Sequence, residues 1–349
     1  MHKRLPNTII LPVVILSLLA AFQTASAQQP SQGQPQSAQK PDNSQEPAEK
    51  LKVNVNVVNI LFNVKDKHGA LIPNLTKDDF DLAEDGKPQT IKYFTAESNL
   101  PLTLGIMIDT SASQTNVLEM EKEVGGAFLK QVLSDKDEAY VISFDISVDL
   151  LQDFTRDVHR LQSALNKTKI NTDFTSGGIP GMGGGPVPVQ NPKGTLLFDA
   201  VYLSAHDMLS KEVGRKAMIM LTDGQDEGSR LKLKDAVEAA QKSDAIVYVL
   251  LCADRGGYFG SGMAYNGEYD MKKLTEATGG RVINVGNKFD KLREAFDQIA
   301  AELRSQYSIG YTPTNLKQDG SYRKLEIKNK QNYKIQSRAG YYAGMASEN

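Results

Sequence analysis

Short, continuously apolar runs alternate with amphipathic segments between residues 98 and 305, and this pattern constrains the fold most strongly. The apolar runs, such as "AMIML" and "AIVYVLL", are predicted strands at 102–108, 138–144, 216–222, 245–252 and 281–285. The segments between them predict helices near 115–133, 157–166, 196–209, 231–242, 270–278 and 288–304. Continuously apolar strands separated by helices are typical of a parallel sheet that is covered on both faces. We therefore predict a doubly wound α/β domain over residues 98–305.

One further strand is predicted at an edge of this sheet. The segment "VDLLQDF" follows the strand at 138–144 after only a few residues. A parallel crossover needs a dozen or more residues, so this strand is predicted to pair antiparallel with its predecessor.

Residues 51–97 and 306–343 show strand-like alternation of apolar and polar residues. Hairpin signals divide both segments, with Asp85-Gly86 in the first and Asp319-Gly320 in the second. Each segment has too few strands for an independent sheet, so we predict that the two pair as one small β-sandwich-like domain. The α/β domain would then be an insertion in that sandwich.

The N-terminus has the three parts of a secretory signal peptide. A basic start is followed by an apolar stretch from Ile9 to Phe22 and by "ASA", with cleavage predicted after Ala27. The stretch is shorter than the roughly 20 residues of a membrane-spanning helix, and Pro12 interrupts it. Residues 28–50 are rich in Gln, Pro and Ser and predict a disordered linker. The sequence thus indicates an exported protein, periplasmic or extracellular, with no transmembrane anchor after cleavage.

Charge and cysteine content exclude several classes of function. The formal net charge of -2 gives no broad basic field, so nucleic acid is not an expected partner. The single cysteine, Cys252, cannot form an internal disulfide and is predicted to be an inert buried thiol. The chain contains no G-x-S-x-G nucleophile motif that would indicate a Ser-His-Asp hydrolase.

Oxygen-bearing side chains cluster next to the predicted strands. Asp109, Ser111 and Ser113 follow the first strand in "LGIMIDTSASQ", Thr195 precedes a later helix in "PKGTLLFDA", and Asp223 follows another strand in "MLTDGQDEG". Ligands bind at the carboxyl ends of strands in such sheets. Hard divalent cations take oxygen ligands, and two carboxylates with three hydroxyls would leave the ion electrophilic toward a further anion. We predict a divalent-metal site, with Mg²⁺ preferred and Mn²⁺ or Ca²⁺ as alternatives.

The combination of D-x-S-x-S, a Thr from a second loop and an Asp from a third resembles the metal-ion-dependent adhesion site of von Willebrand factor type A (vWA) domains. The resemblance covers roughly residues 100–300 and includes "VISFD", "KGTLLFDAV" and "LTDGQD". Secreted bacterial vWA-related proteins, in which β segments flank the domain, are also similar.

The resemblance implies how this site would work. Ser111, Ser113 and Thr195 would bind the ion directly, and Asp109 and Asp223 would bind it directly or through water. The open coordination position would accept an acidic side chain of a protein partner. The resemblance therefore implies adhesion or binding rather than catalysis.

Two alternative interpretations remain open. A phosphohydrolase of the haloacid dehalogenase type also has an Asp after its first strand, here Asp109. Its chemistry needs a second carboxylate two residues later, where this chain has Ser111. In an ion-free structural module, Ser111 and Ser113 would instead cap the following helix, a role that requires neither Asp109 nor Asp223.

The segment 177–191, directly before the Thr195 motif, is rich in Gly and Pro. It lacks the G-x-x-x-x-G-K-[ST] spacing of a phosphate-binding loop. We predict a surface loop there.

Overall fold

The computed structural model describes residues 57–96, 100–171, 194–252 and 267–344. The predicted signal peptide, the linker and the 177–191 loop lie outside these ranges. No helix within them is long and apolar enough to cross a membrane.

The described residues form strands and helices in the following order. The strands are β1 (Val58–Lys65), β2 (Phe80–Glu84), β3 (Lys87–Gln89), β4 (Ile91–Ala96), β5 (Leu102–Asp109), β6 (Glu138–Phe144), β7 (Val148–Thr155), β8 (Arg215–Thr222), β9 (Ala245–Leu251), β10 (Val282–Asn284), β11 (Tyr307–Tyr311), β12 (Tyr322–Asn329), β13 (Lys334–Ser337) and β14 (Gly340–Tyr342). The helices are α1 (Leu118–Val132), α2 (Val158–Lys167), α3 (Leu197–Leu203), α4 (Leu233–Lys242), α5 (Gly267–Thr278) and α6 (Phe289–Arg304).

The middle of the chain forms a six-stranded sheet in the order β10-β9-β8-β5-β6-β7. All neighbours pair in parallel except β7, which runs antiparallel to β6 at the edge, as predicted. Strands β5, β8 and β9 are buried along their whole length because helices cover both faces. The predicted doubly wound α/β fold is confirmed. The strand order reverses between β5 and β8, which makes their carboxyl ends the expected place for a ligand.

Two apolar cores lie on opposite faces of this sheet. Side chains alternate along a strand, so Ile106 and Ile108 of β5 contact the core that contains α1 and α6, while Met107 contacts the core that contains α3 and α4. The cores are completed by aromatic residues such as Phe128 and Phe296, whose rings are 4.5 Å apart between centroids.

Two predicted helices differ in detail from the observed ones. A three-residue 3-10 turn, Ala112–Gln114, precedes α1, which begins at Leu118 rather than at 115. The predicted helix at 196–209 consists of α3 followed by a π-helical turn, Ser204–Leu209. The change occurs at Ser204, whose buried hydroxyl lies 2.5 Å from the Tyr140 hydroxyl and 3.0 Å from Met218 Sδ.

The strands on either side of the α/β domain form two four-stranded antiparallel sheets. Their orders are β13-β1-β11-β4 and β14-β12-β2-β3, so each sheet combines strands from both ends of the described chain. These strands alternate in the first sheet, whereas in the second they meet at the β12–β2 pair. The sheets pack through an apolar core that includes Phe62 and Tyr307 from the first sheet and Phe80 from the second. Asp85 and Gly86 have positive φ angles of 49° and 78° and form the predicted tight turn between β2 and β3.

A buried ion cluster links the sandwich to the α/β domain. Glu302 near the end of α6 lies 2.8 Å from the Lys65 ammonium of β1 and 2.7 Å from the guanidinium of Arg281. Gln336 of β13 also donates to Glu302 and accepts from Lys65. Burial alone would raise the pKa of Glu302, but the two cations lower it below its ordinary value. The carboxylate therefore stays ionised at neutral pH.

Candidate metal centre

The D-x-S-x-S segment forms a tight turn at the carboxyl end of β5. Asp109 is the last residue of this strand and is fully buried. Its Oδ1 accepts a hydrogen bond from the backbone N–H of Ser111 at 3.0 Å, and its Oδ2 accepts one from the Thr222 hydroxyl at 2.6 Å. The 3-10 turn that follows brings the hydroxyls of Ser111 and Ser113 to 3.0 Å from each other.

Asp223 comes from the neighbouring strand and joins the same cluster. It follows β8 directly, and its Oδ1 accepts a hydrogen bond from the backbone N–H of Gln225 at 3.0 Å. The Ser113 hydroxyl also hydrogen-bonds the Asp223 carboxylate. Asp109, Ser111, Ser113 and Asp223 thus form one continuous polar cluster, at the place where the strand order reverses.

Thr195 is held against this edge of the sheet by main-chain hydrogen bonds. It is buried and lies two residues before α3. Its carbonyl accepts from the N–H of Glu227 at 3.1 Å, and the next N–H, that of Leu196, donates to the Asp145 carbonyl at 2.7 Å. These bonds fasten the Thr195 segment to the loops that follow β8 and β6.

Asp145 is a residue of the site that sequence reasoning missed. Its carboxylate accepts hydrogen bonds from the Thr110 hydroxyl at 2.7 Å and from the N–H of Ser147 at 3.1 Å, while its carbonyl holds Leu196. It therefore connects the D-x-S-x-S loop with the Thr195 segment. Its position directly after β6 could have pointed to this role, because the carboxyl end of β6 lies beside those of β5 and β8, which carry Asp109 and Asp223.

The loop after β8 also fixes the start of α3. Asp226 accepts a hydrogen bond from the N–H of Phe198, in the first turn of α3, at 3.2 Å. Asp199 of α3 accepts in return from the N–H groups of Arg230 at 3.1 Å and Leu231 at 2.9 Å. These reciprocal bonds satisfy amide groups at the helix start and hold the Asp223 loop beside Thr195.

The electrostatics of the cluster fit a bound cation. Burial and the nearby charge of Asp223 raise the pKa of Asp109 to about 7. Burial also raises the pKa of Asp223 above its ordinary value. A divalent cation would offset the desolvation and mutual repulsion of both carboxylates, and its preferred ligands are oxygen atoms like those of this cluster.

Within the four described ranges, no group of three or more His, Cys, Asp or Glu residues could hold a metal ion. The cluster at the β5 and β8 ends is of another kind, because hydroxyl groups supply most of its donors.

The strand order, with an antiparallel edge strand and D-x-S-x-S directly after the central strand, decides the fold type. The α/β domain has a vWA-type fold. No family model matches the chain, and no curated protein matches its sequence.

Several solved vWA structures are similar to this chain. The von Willebrand factor type A protein from Catenulispora acidiphila is 12% identical with a TM-score of 0.45, and the match covers 77% of this chain and 74% of that one. The conserved hypothetical protein BatB from Bacteroides thetaiotaomicron is 17% identical with a TM-score of 0.42, covering 58% of this chain and 100% of that one. Proximal thread matrix protein 1 from the mussel byssus, with a zinc-occupied MIDAS motif, is 14% identical with a TM-score of 0.44. The match covers 62% of this chain and 48% of that one.

Proposed function

We propose that this chain is an exported, non-enzymatic binding protein that holds an acidic group of a protein partner through a divalent ion. Asp109, Ser111, Ser113, Thr195 and Asp223 would hold the ion. The observation that carries the proposal is the continuous polar cluster in which the buried carboxylates of Asp109 and Asp223 lie beside the half-buried hydroxyls of Ser111 and Ser113. Its carboxylates come from two different strands and are desolvated together, which favours a cation between them.

The donor set suits a hard ion such as Mg²⁺. Three of the five donors are neutral hydroxyls, so two carboxylates would balance the charge of a divalent ion without exceeding it. Such an ion keeps its attraction for a further anion and supplies a strong electrostatic contact to a carboxylate. The hydrogen bonds from Ser111, Thr222 and Gln225 would hold the two carboxylates in place for it.

The phosphohydrolase alternative requires a second carboxylate beside Asp109. Ser111 occupies that position, and its hydroxyl lies against Ser113. Asp145, another carboxylate at these strand ends, accepts hydrogen bonds from the Thr110 hydroxyl and the Ser147 N–H. Assay of a generic phosphoester with Mg²⁺ separates the two functions, because turnover abolished by Asp109→Asn would favour the enzyme.

The first experiment measures the ion itself. Titration of the mature chain with Mg²⁺ and with Mn²⁺ by calorimetry is expected to show one site. Asp223→Asn should abolish that site, and Thr195→Ala should weaken it, since water can partly replace one hydroxyl. The ion-free structural module would be favoured instead if neither metal binds the unsubstituted protein.

The second experiment tests the partner. Immobilised mature protein is expected to retain a protein from the envelope of the producing cell, to release it in chelator and to bind it again with Mg²⁺ or Mn²⁺. Substitution of single acidic residues on the retained protein should identify one that is indispensable. Retention that is unchanged in excess chelator would exclude the adhesion-site mechanism even if the ion binds.

A further inference from the structure

Glu121 is a fully buried carboxylate that the proposed ion coordination does not use. It lies in the first turns of α1, on the face that also buries Leu118 and Val124. Neither of its carboxylate oxygens has a regular hydrogen-bond partner among the described residues, and its polar neighbour is the thiol of Cys252. Burying an ionisable group without a strong partner costs stability, so packing gives no reason for a carboxylate at this position.

The surroundings of Glu121 lead directly to the candidate metal centre. Cys252 follows β9, and its N–H donates to the Thr222 carbonyl at 2.9 Å. Thr222 in turn donates its hydroxyl to Asp109 at 2.6 Å. The buried Gln114 side chain lies 3.1 Å from both the Cys252 carbonyl and the Asp223 N–H, and both contacts are hydrogen bonds when its nitrogen faces the carbonyl.

Electrostatics connect Glu121 to both candidate ligands. Burial, together with the charges of Asp109 and Asp223, raises the pKa of Glu121 to about 8. The charged groups that act on Glu121 among the described residues are these two carboxylates, and both are negative. Three acidic side chains from β5, α1 and the β8 loop therefore share one desolvated region.

We propose that Glu121 is a positioning residue of the candidate metal centre: its carboxyl group does not touch the ion, but it becomes a third negative charge when the ion binds and thereby increases the ion's affinity. The proposal rests on the proposed ion binding. Without a cation, burial and the charges of Asp109 and Asp223 keep Glu121 protonated at neutral pH, and holding this proton makes the ion-free protein less stable. Glu121 thus widens the stability difference between the ion-bound and ion-free protein.

The test measures two effects of removing the Glu121 carboxylate that have opposite directions: weaker ion binding and greater stability of the ion-free protein. Glu121→Gln removes the charge with almost no change in shape, and Glu121→Met removes the polar group as well. In calorimetry at about pH 9, where Glu121 is ionised, both variants of the mature chain should bind Mg²⁺ about 10- to 100-fold more weakly, the range typical of residues just outside a ligand shell. In thermal unfolding with excess chelator, both should unfold at a higher temperature than the unsubstituted protein.

Glu123→Gln is the matched control, because Glu123 is an exposed carboxylate two positions along the same helix. It should change neither quantity. Unchanged Mg²⁺ affinity in both Glu121 variants would overturn the inference and leave the proposed function intact. Variants that lose Mg²⁺ affinity and also unfold at a lower temperature in chelator would identify a purely structural role and overturn it as well. Failure of the unsubstituted protein to bind any ion would instead remove the proposed function itself.

Discussion

Lys65 of β1 and Glu302 of α6 form a buried ion pair across the boundary between the sandwich and the α/β domain, with 2.8 Å between Nζ and Oε1. Arg281 contacts the same carboxylate oxygen at 2.7 Å. One carboxylate therefore serves two cations that belong to different parts of the fold. Its loss should weaken the contact between these parts, which leads to a first prediction.

Glu302→Ala should destabilise the protein by about 3–5 kcal/mol, because it leaves a buried ammonium and a half-buried guanidinium unpaired. Lys65→Ala should cost less, since Arg281 still pairs with Glu302 in that variant. Urea unfolding measures both values. Glu238→Ala, which breaks the exposed pair with Lys242, is the control and should change stability by less than about 1 kcal/mol. Equal effects of Glu302→Ala and Glu238→Ala would contradict the prediction.

Asp109→Asn should abolish Mg²⁺ binding without unfolding the protein. The amide keeps the shape of the side chain and removes a desolvated charge whose pKa is raised to about 7. In chelator at pH 8, the free energy of unfolding should therefore stay unchanged or increase. Calorimetry measures the loss of Mg²⁺ binding, and urea unfolding measures the free energy of unfolding. Asp135→Asn is the control. It removes an exposed carboxylate just before β6, at the amino ends of the strands and far from the site at their carboxyl ends, and it should leave ion affinity unchanged.

Asp145→Ala should affect both stability and ion affinity. The Thr110 hydroxyl and the Ser147 N–H lose their acceptor, which costs about 1–3 kcal/mol. Mg²⁺ affinity should fall by roughly 10-fold or more, because the lost side-chain bonds fix the main chain of residue 145, whose carbonyl holds Leu196 beside Thr195. Asp149→Asn is the control, since this exposed carboxylate contacts only the Ser147 hydroxyl among the described residues. An Asp145→Ala variant that binds Mg²⁺ normally would show that the Asp145 side-chain bonds do not contribute to the ion site.

The ion-free protein should lose stability as the pH rises from about 5 to 8. The folded-state pKa values of Glu121 and Asp109 are raised to about 8 and about 7, so the folded protein holds protons that the unfolded chain has released in this window. Each group then lowers the free energy of unfolding by up to about 1.4 kcal/mol per pH unit. Carboxylates with lowered pKa values, such as Glu302, act at lower pH.

Urea unfolding in chelator at several pH values measures this slope. Glu121→Gln should reduce it, because one of the two groups no longer titrates. Saturating Mg²⁺ should flatten it, since the ion favours the ionised carboxylates of the folded state. A slope of opposite sign between pH 5 and 8 would show that these carboxylates are not desolvated.

The α/β fold and most of the site's framework were predictable from local pattern. Strands β8 and β9 are continuously apolar because both of their faces are buried, and few other local structures give that pattern. The antiparallel pairing of β7 follows from the short connection to β6. The proximity of Asp109 and Asp223 follows from their positions at the carboxyl ends of β5 and β8, because neighbouring parallel strands end on the same side of the sheet.

Glu121, Gln114 and Asp145 were not predicted, for a physical reason. Glu121 occupies a position on the buried face of α1 between Leu118 and Val124, but one acidic residue within an amphipathic pattern does not reveal what it faces. Its environment is set by Cys252 and the strand ends, which come together only in the folded chain. The partners of Asp145 are likewise distant in sequence, as its bond to Thr110 shows.

The position of β11 between β1 and β4 has a consequence for the order of folding. Val58 pairs with Tyr311 and Phe62 with Tyr307. The first strand therefore cannot form these pairs until residues near the other end of the described chain are in place. The strand pairs of the α/β domain span at most the distance from Leu102 to Arg215 in sequence, whereas the pairing of Val58 with Tyr311 closes a longer loop at a larger entropic cost. We expect the sandwich to close last. Until β11 is available, the edges of β1 and β4 are unpaired, and during this interval they can pair with strands of another chain.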